Sequence, residues 1–400
     1  MMHTILLTPQ DVLFFRDARP MSGSLMGHTA YWPLPHIFNH ALRSAFHRAD
    51  LDRRAAKEKY GSLITAGPFP FSPEGVWYLP APADLVKSND VVTVGIKPFK
   101  SENPSSLPKP LTYALGATLP PNKDGQLPAW IAAAAYKKYL AGEMPALTDF
   151  KAYTDIGGAE SRIGIGIDRD TQTQDGERFY SAQYLRLKDG WRLGCFAGSG
   201  DKKDEDFVER LKETKIIIGG QQGICSIEKF RNEQQPDCIF NLVSELKFDS
   251  RFLKWALVAP AVFPEIAADE SGKIRSHPGG WLPNWIDPEN GKVLLRETVE
   301  RKPGENRNDW RNRARNASGI NGRLIAARIP GAIEISGWSL EYGEKPTQLA
   351  VPAGAVYYFE CDNEADAQKL AGALNFPNRR STLFGEKGFG LGVCAPVKFY

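Results

Sequence analysis

Twelve of the chain's 29 prolines fall within residues 67–128, and no other feature of the sequence limits the fold as tightly. Proline lacks a backbone N–H and holds φ fixed, so it is excluded from helix interiors and from strands paired on both sides. The stretch can hold only loops and short edge strands. It reads as an insertion into a domain whose core comes from the flanking residues. At 400 residues the chain exceeds one compact core, and two or three domains are expected. Hydrophobic residues at 42% and aromatics at 11% supply that core and rule out a disordered chain.

Charge and cysteine narrow the function. The net charge is +3, so any nucleic-acid site must come from local clustering. Cys195, Cys225, Cys238, Cys361 and Cys394 form no C-x-x-C pair and are odd in number. Buried reduced thiols are expected, with no metal centre and no cofactor. No run approaches the roughly 18 apolar residues of a membrane helix, so no membrane partner is expected. The run Ile5-Leu6-Leu7 before Pro9 is too short for a secretory signal, which points to a cytoplasmic location.

Apolar runs at 4–7 and 12–15 read as strands. A helix is expected over 35–48, with Pro35 in its first turn and Ile37, Phe38, Ala41, Leu42, Ala45 and Phe46 on one face. His36, His40, Arg43 and His47 form a basic stripe opposite. A second helix is expected over 129–141. Strands are expected at 179–187 and 191–196, flanking a Lys188-Asp189-Gly190 turn, then a short helix near 205–213 and a strand over 215–218. Residues 252–263 read as extended and 277–288 as an aromatic loop. Strands near 323–329 and 355–360, a helix over 363–375 capped by Asp362 or Asn363, and a strand over 393–399 complete the pattern. A composition shift leaves room for a domain boundary between 200 and 245.

Four segments bear on chemistry. Residues 385–392 hold four glycines in eight, with Lys387 and Phe389 between them. Such a loop can bring backbone N–H groups and Lys387 to phosphates and Phe389 to a base, or can be a tight packing turn. Neither a P-loop nor a Rossmann turn fits its context. Residues 157–168 alternate Ile and Gly around Arg162 and read first as an ordinary hairpin. Arg16 and Arg19 either pair with carboxylates or bind phosphate bidentately. The histidine stripe suits a solvated or phosphate-facing surface; a metal pair lacks a third ligand, and a histidine general base for RNA cleavage is the catalytic alternative. Residues 301–323 hold seven Lys or Arg against Glu305 and Asp309, with Trp310 among them, and read as a loop that is either RNA-contacting or merely solvated.

Taken together, several blocks resemble one family. Residues 5–20 (Ile5 to Pro20, including Phe14-Phe15-Arg16-Asp17-Ala18-Arg19-Pro20), Glu160 to Ile165 with Phe179-Tyr180-Ser181-Ala182, Ile335-Ser336-Gly337-Trp338 with Pro352 to Phe359, and Gly388-Phe389-Gly390-Leu391-Gly392 occur in order along nearly the whole chain. The set resembles the third subunit of the Cmr-type (type III-B) CRISPR effector complex, a RAMP-superfamily protein. The resemblance implies an α+β fold of two ferredoxin-like (RRM-related) domains with glycine-rich loops, here 1–215, carrying the Pro-rich insertion near 67–128, and 216–400. It implies a non-catalytic subunit that holds the 5′ tag of the guide RNA, docks on the large polymerase-like subunit and other RAMP subunits, and meets target RNA indirectly. Arg16, Arg19, His40, Arg43, Arg162 and Lys387 are the expected RNA contacts, with Gly388, Phe389, Gly390 and Gly392 shaping the loop. Many members carry Gly at the position of His40. Residues 301–323 match poorly and take no role from the family. The alternative within the superfamily is an endoribonuclease that processes the guide precursor with His36 or His40 as base.

Overall fold

The computed structural model describes residues 2–15, 26–27, 30–49, 63–88, 92–100, 106–117, 119–123, 126–167, 170–199, 208, 211, 214–231, 247–269, 275–299, 301–302, 304–339 and 343–397. In chain order its main elements are β1 (Met2–Pro9), α1 (Pro35–Ala49), β2 (Leu63–Phe71), α2 (Ala133–Leu140), β3 (Gly157–Ile167), β4 (Gln174–Leu187), β5 (Arg192–Ser199), β6 (Lys215–Ile217), β7 (Ile224–Arg231), β8 (Phe252–Leu257), α3 (Arg307–Arg315), β9 (Gly322–Arg328), β10 (Val356–Cys361), α4 (Glu364–Leu374) and β11 (Gly392–Pro396).

Two antiparallel sheets organise the molecule. The first runs β6-β7-β1-β5-β2 and the second β9-β10-β8-β11. Numbered by order of appearance, the four long strands of the first sheet and the four strands of the second both lie in the order 4-1-3-2. β1 is apolar at successive positions because it is covered on both faces. Ile5 and Leu7 pack with Phe38, Leu42 and Phe46 of α1. Leu6 points the other way, into a core shared with Phe69, Phe196, Ala256, Tyr358 and Val393. That shared core joins the two sheets. The far face of the second sheet is closed by Leu370 and Leu374 of α4 together with Leu282, Ile286 and Val293.

The prolines sit where their missing N–H groups allow. β2 carries Pro68 and Pro70 at the sheet edge, where its neighbour in the first sheet is β5. Pro98 lies in a strand, Val92–Lys100, whose neighbour Leu85–Ser88 stops pairing at Gly95, so the proline is paired on one side alone. Both strands run nine residues, longer than expected. Small sheets and α2 fill the connection between β2 and β5.

Several expectations change. Residues 12–15 make isolated bridges, Leu13 to Leu185 and Phe14 to Gly220, instead of a strand. The helix expected at 129 begins at Ala133, because Trp130–Ala132 pairs as a strand with Tyr78–Pro80. Lys188-Asp189-Gly190 does not close a hairpin: β4 pairs with β3, while β5 crosses to the first sheet between β1 and β2. The expected boundary at 215/216 falls inside β6, and the first sheet continues to Arg231. Most of the helix expected near 205–213 lies outside the described residues. Cys195, Cys225, Cys361 and Cys394 are buried free thiols, and Cys238 lies outside the described residues. Among the described residues no helix is long and apolar enough to cross a membrane.

Candidate nucleic-acid interface

The glycine-rich loop of the C-terminal half lies against α1 and β2 of the N-terminal half. Gly385–Lys387 forms a single 3-10 turn, flanked by left-handed residues Phe384 (φ 61°) and Gly388 (φ 94°). A Cβ at Gly388 would come 2.7 Å from the Thr65 carbonyl oxygen, and one at Gly390 (φ 72°) would strike Ser381. Gly392 is extended, and a Cβ there would collide with the Trp255 indole. These glycines are required by protein packing. The backbone N–H groups are also engaged: Lys387 and Phe389 donate to the Phe384 carbonyl, Gly388 to Gly385 and Gly390 to Pro260. The expectation of bare N–H groups for phosphate is therefore corrected for 387–390.

Phe389 is corrected as well. Its ring is fully buried among Val262, Ile335 and Ala350 and stacks on His36 with centroids 5.9 Å apart, so it has no face for a base. Its burial fixes the loop over the start of α1.

Side-chain charge is what the loop presents. Asn39, fully buried in α1, donates from Nδ2 to Thr65 Oγ1 (3.0 Å) and to the Glu386 carbonyl (3.4 Å), while its Oδ1 accepts from Arg43 Nε (3.0 Å). One carboxamide thus ties helix, strand and loop together and aims Arg43. Lys387 lies 5.0 Å over the Phe384 ring and 4.0 Å from the Glu386 carboxylate; burial lowers its pKa. His36 and His40 meet edge to face at 5.7 Å. Desolvation, then the charges of His40, Lys387 and Lys345, pulls His36 down to about 4. His40 is exposed, yet desolvation by the groups around it, followed by Lys387, Lys345 and Arg43, brings it to about 4 as well. Both imidazoles are neutral at pH 7. The cluster is cationic through Arg43, Lys345 and Lys387, against Glu386.

The other expected residues lie elsewhere. Arg162 stands on β3, its guanidinium bonded to Asp11 (2.9 Å) and Glu160 (2.9 Å) and 5.4 Å over the Tyr184 ring. Arg186 binds the same two acids, so the quartet is electrically balanced. The segment is one arm of a long hairpin. Arg16, Arg19 and the side chain of His47 lie outside the described residues. Among the described residues no three His, Cys, Asp or Glu side chains gather as a metal site.

Sequence reasoning missed Asn39, Thr65 and Lys345. The signal for Asn39 was a carboxamide beside Phe38 and Ala41, where an apolar residue belongs. It also missed a cleft of about 1210 Å³ beside the cluster, lined by His36, Trp32, Trp130, Tyr31 and Tyr153. Tyr31 is 76% exposed at its mouth and packs on Tyr153.

Two sheets of equal strand order, joined by a shared core and bearing a cationic cluster where a glycine loop meets the first helix, define an α+β protein with a charged seam. A family model described as "CRISPR-associated protein (Cas_Cmr3)" matches residues 5–395, and the chain belongs to that family. Similar solved structures include the type III-B Cmr-beta complex bound to cognate target RNA, at 12% identity over 89% of this chain and 86% of the other, with a TM-score of 0.44. Another is the Csm3-Csm4 subcomplex of the type III-A CRISPR-Cas interference complex, at 12% identity over 90% of this chain and 94% of the other, with a TM-score of 0.39. No curated protein matches.

Proposed function

We propose that the chain is a non-catalytic subunit of a type III-B CRISPR effector complex. It holds the 5′ tag of the guide RNA on the α1–glycine-loop cluster and docks on the large polymerase-like subunit and neighbouring RAMP subunits. The observation that carries this reading is the convergence of Arg43, Lys345 and Lys387 around one loop, oriented by the buried Asn39. Single-stranded RNA needs cations for its phosphates and aromatic planes for its bases. The cluster supplies the first, and Tyr31 and Tyr153 supply the second in place of Phe389. Arg43, Lys387 and His40 make the principal contacts, with Arg16 and Arg19 extending them. Arg162 joins only on leaving Asp11 and Glu160.

The reading includes two ferredoxin-like halves. The 4-1-3-2 strand order in both sheets supports them, with the division between Arg231 and Phe252 and an insertion that reaches from β2 to β5. An imidazole with a pKa near 4 is a poor proton acceptor at neutral pH, which weighs against a histidine base. Tag-RNA binding by wild type, R43A and K387A tests the reading. Weakened binding in both variants is expected, and unchanged binding in both overturns it. Incubation with repeat RNA, with and without divalent metal, is expected to give no discrete products.

A further inference from the structure

The basic stretch 301–323, expected to be a loop, contains the helix α3 and runs into β9 at Gly322. Asn306 caps α3 by accepting from the Asn308 N–H. Glu305 anchors the arm: its carboxylate accepts from Arg313 (3.0 and 2.7 Å) and from the Lys302 N–H (2.9 Å), and its carbonyl accepts from Arg301 (3.0 and 2.8 Å). Arg313 holds the Glu305 carboxyl at about 2. The Trp310 indole donates to the Val299 carbonyl (2.7 Å), and Arg296 donates to Ala317 (2.8 Å). Nine residues are too few for a helix to persist alone, so these ties hold it.

At 3.6 residues per turn, Trp310 and Ala314 face inward, both half-buried. Arg311, Arg315, Asn308 and Asn312 share the opposite sector of about 100°. All four are exposed, their side chains have no partner among the described residues, and no carboxylate falls between them. Residues 301–323 carry a surplus of five positive charges in a chain whose total is +3, so the remainder is net acidic.

We propose that this face of α3 binds the phosphate backbone of single-stranded RNA, as a second contact separate from the glycine-loop cluster. Guanidinium groups one turn apart pair with successive phosphates. The carboxamides select RNA over an acidic protein surface. Each presents a carbonyl oxygen as well as N–H groups, and ribose 2′-hydroxyls and base N–H groups supply donors for it, whereas carboxylates do not.

The test is binding of a labelled 20-nucleotide oligouridylate to the full-length protein between 50 and 200 mM salt, with thermal melts confirming the fold. Each phosphate contact on single-stranded RNA contributes about 0.7 to the slope of log affinity against log salt. R311A/R315A is expected to bind more weakly and to flatten the slope by up to about 1.4. N308A/N312A is expected to weaken binding at unchanged slope. Wild-type affinity and slope in R311A/R315A overturn the proposal, as does absence of oligouridylate binding by wild type. So does a variant that keeps RNA but loses polyglutamate, which would make the face a protein dock. An R43A/K387A arm keeps the two readings apart: it is to lose tag RNA while retaining the share of the slope that R311A/R315A removes.

Discussion

α1 and α3 occupy the same place in the two halves, between the first and second strands of sheets with the same order, yet one is core and the other is surface. α1 carries Phe38, Ala41, Leu42, Ala45 and Phe46 on one side, all buried against β1 and β5. The apolar residues of α3 are Trp310 and Ala314, and neither is fully buried. The second sheet is closed instead by α4 and by Leu282, Ile286 and Val293. Topology decides where a helix falls in the chain, and side-chain periodicity decides whether the sheet keeps it. The consequence is functional. The cations of α1 stand on the back of a helix gripped by core, strand and loop, whereas Arg311 and Arg315 stand exposed on a helix tied down through Glu305 and Trp310.

Gly390→Val should show the largest effect in that comparison. A branched side chain at φ 72° would strike Ser381 backbone, so little soluble protein or a loss of several kcal/mol is expected in urea unfolding. Gly304, on the α3 arm, also has positive φ (77°) but open space around it. Gly304→Ala should cost only about 1–2 kcal/mol of left-handed strain. Equal losses would mean that the arm packs as tightly as the glycine loop.

Leu42→Ala comes next. A fully buried leucine replaced by alanine loses about 2–5 kcal/mol, and Trp310→Ala should lose clearly less. Asn39→Ala follows, at about 1–3 kcal/mol for partners left unpaired, with weaker tag-RNA binding because Arg43 is no longer aimed. The pH dependence of melting gives a smaller, directional check. His36 has a folded pKa of about 4, below its usual 6.5, so the unfolded chain binds more protons between those values. Stability should therefore be full above about pH 6.5 and fall as pH drops toward 4. His36→Phe should flatten that fall, and an unchanged profile would place His36 in water.

Much of this was legible in the residues. The face of α1, the capped α4 and the edge placement of prolines follow from periodicity, cap chemistry and the missing N–H. Non-local facts were not legible. Nothing near Phe389 says that its ring meets His36, more than 350 residues away in the chain, so stacking on a base and packing stayed equally open. Glycine composition at 388–392 could not distinguish a phosphate cradle from close packing, because the atoms that fill the space, Thr65 O, Ser381 and Trp255, come from distant segments. The pairing of Arg162 was not legible because one of its acids, Asp11, comes from a segment about 150 residues away. The extent of the first sheet was not legible because β7 returns to a strand begun at residue 2.

On the proposed function, charge at the α1–glycine-loop seam, rather than the loop backbone, holds the guide RNA. The direct measurement is tag-RNA affinity of R43E/K387E over a salt series, beside its melting curve. A wild-type melt is expected, with binding reduced to the level of the remaining contacts and a salt slope shallower by up to about 1.4 for two lost phosphate contacts. Wild-type affinity and slope in a variant that melts like the wild type would contradict it.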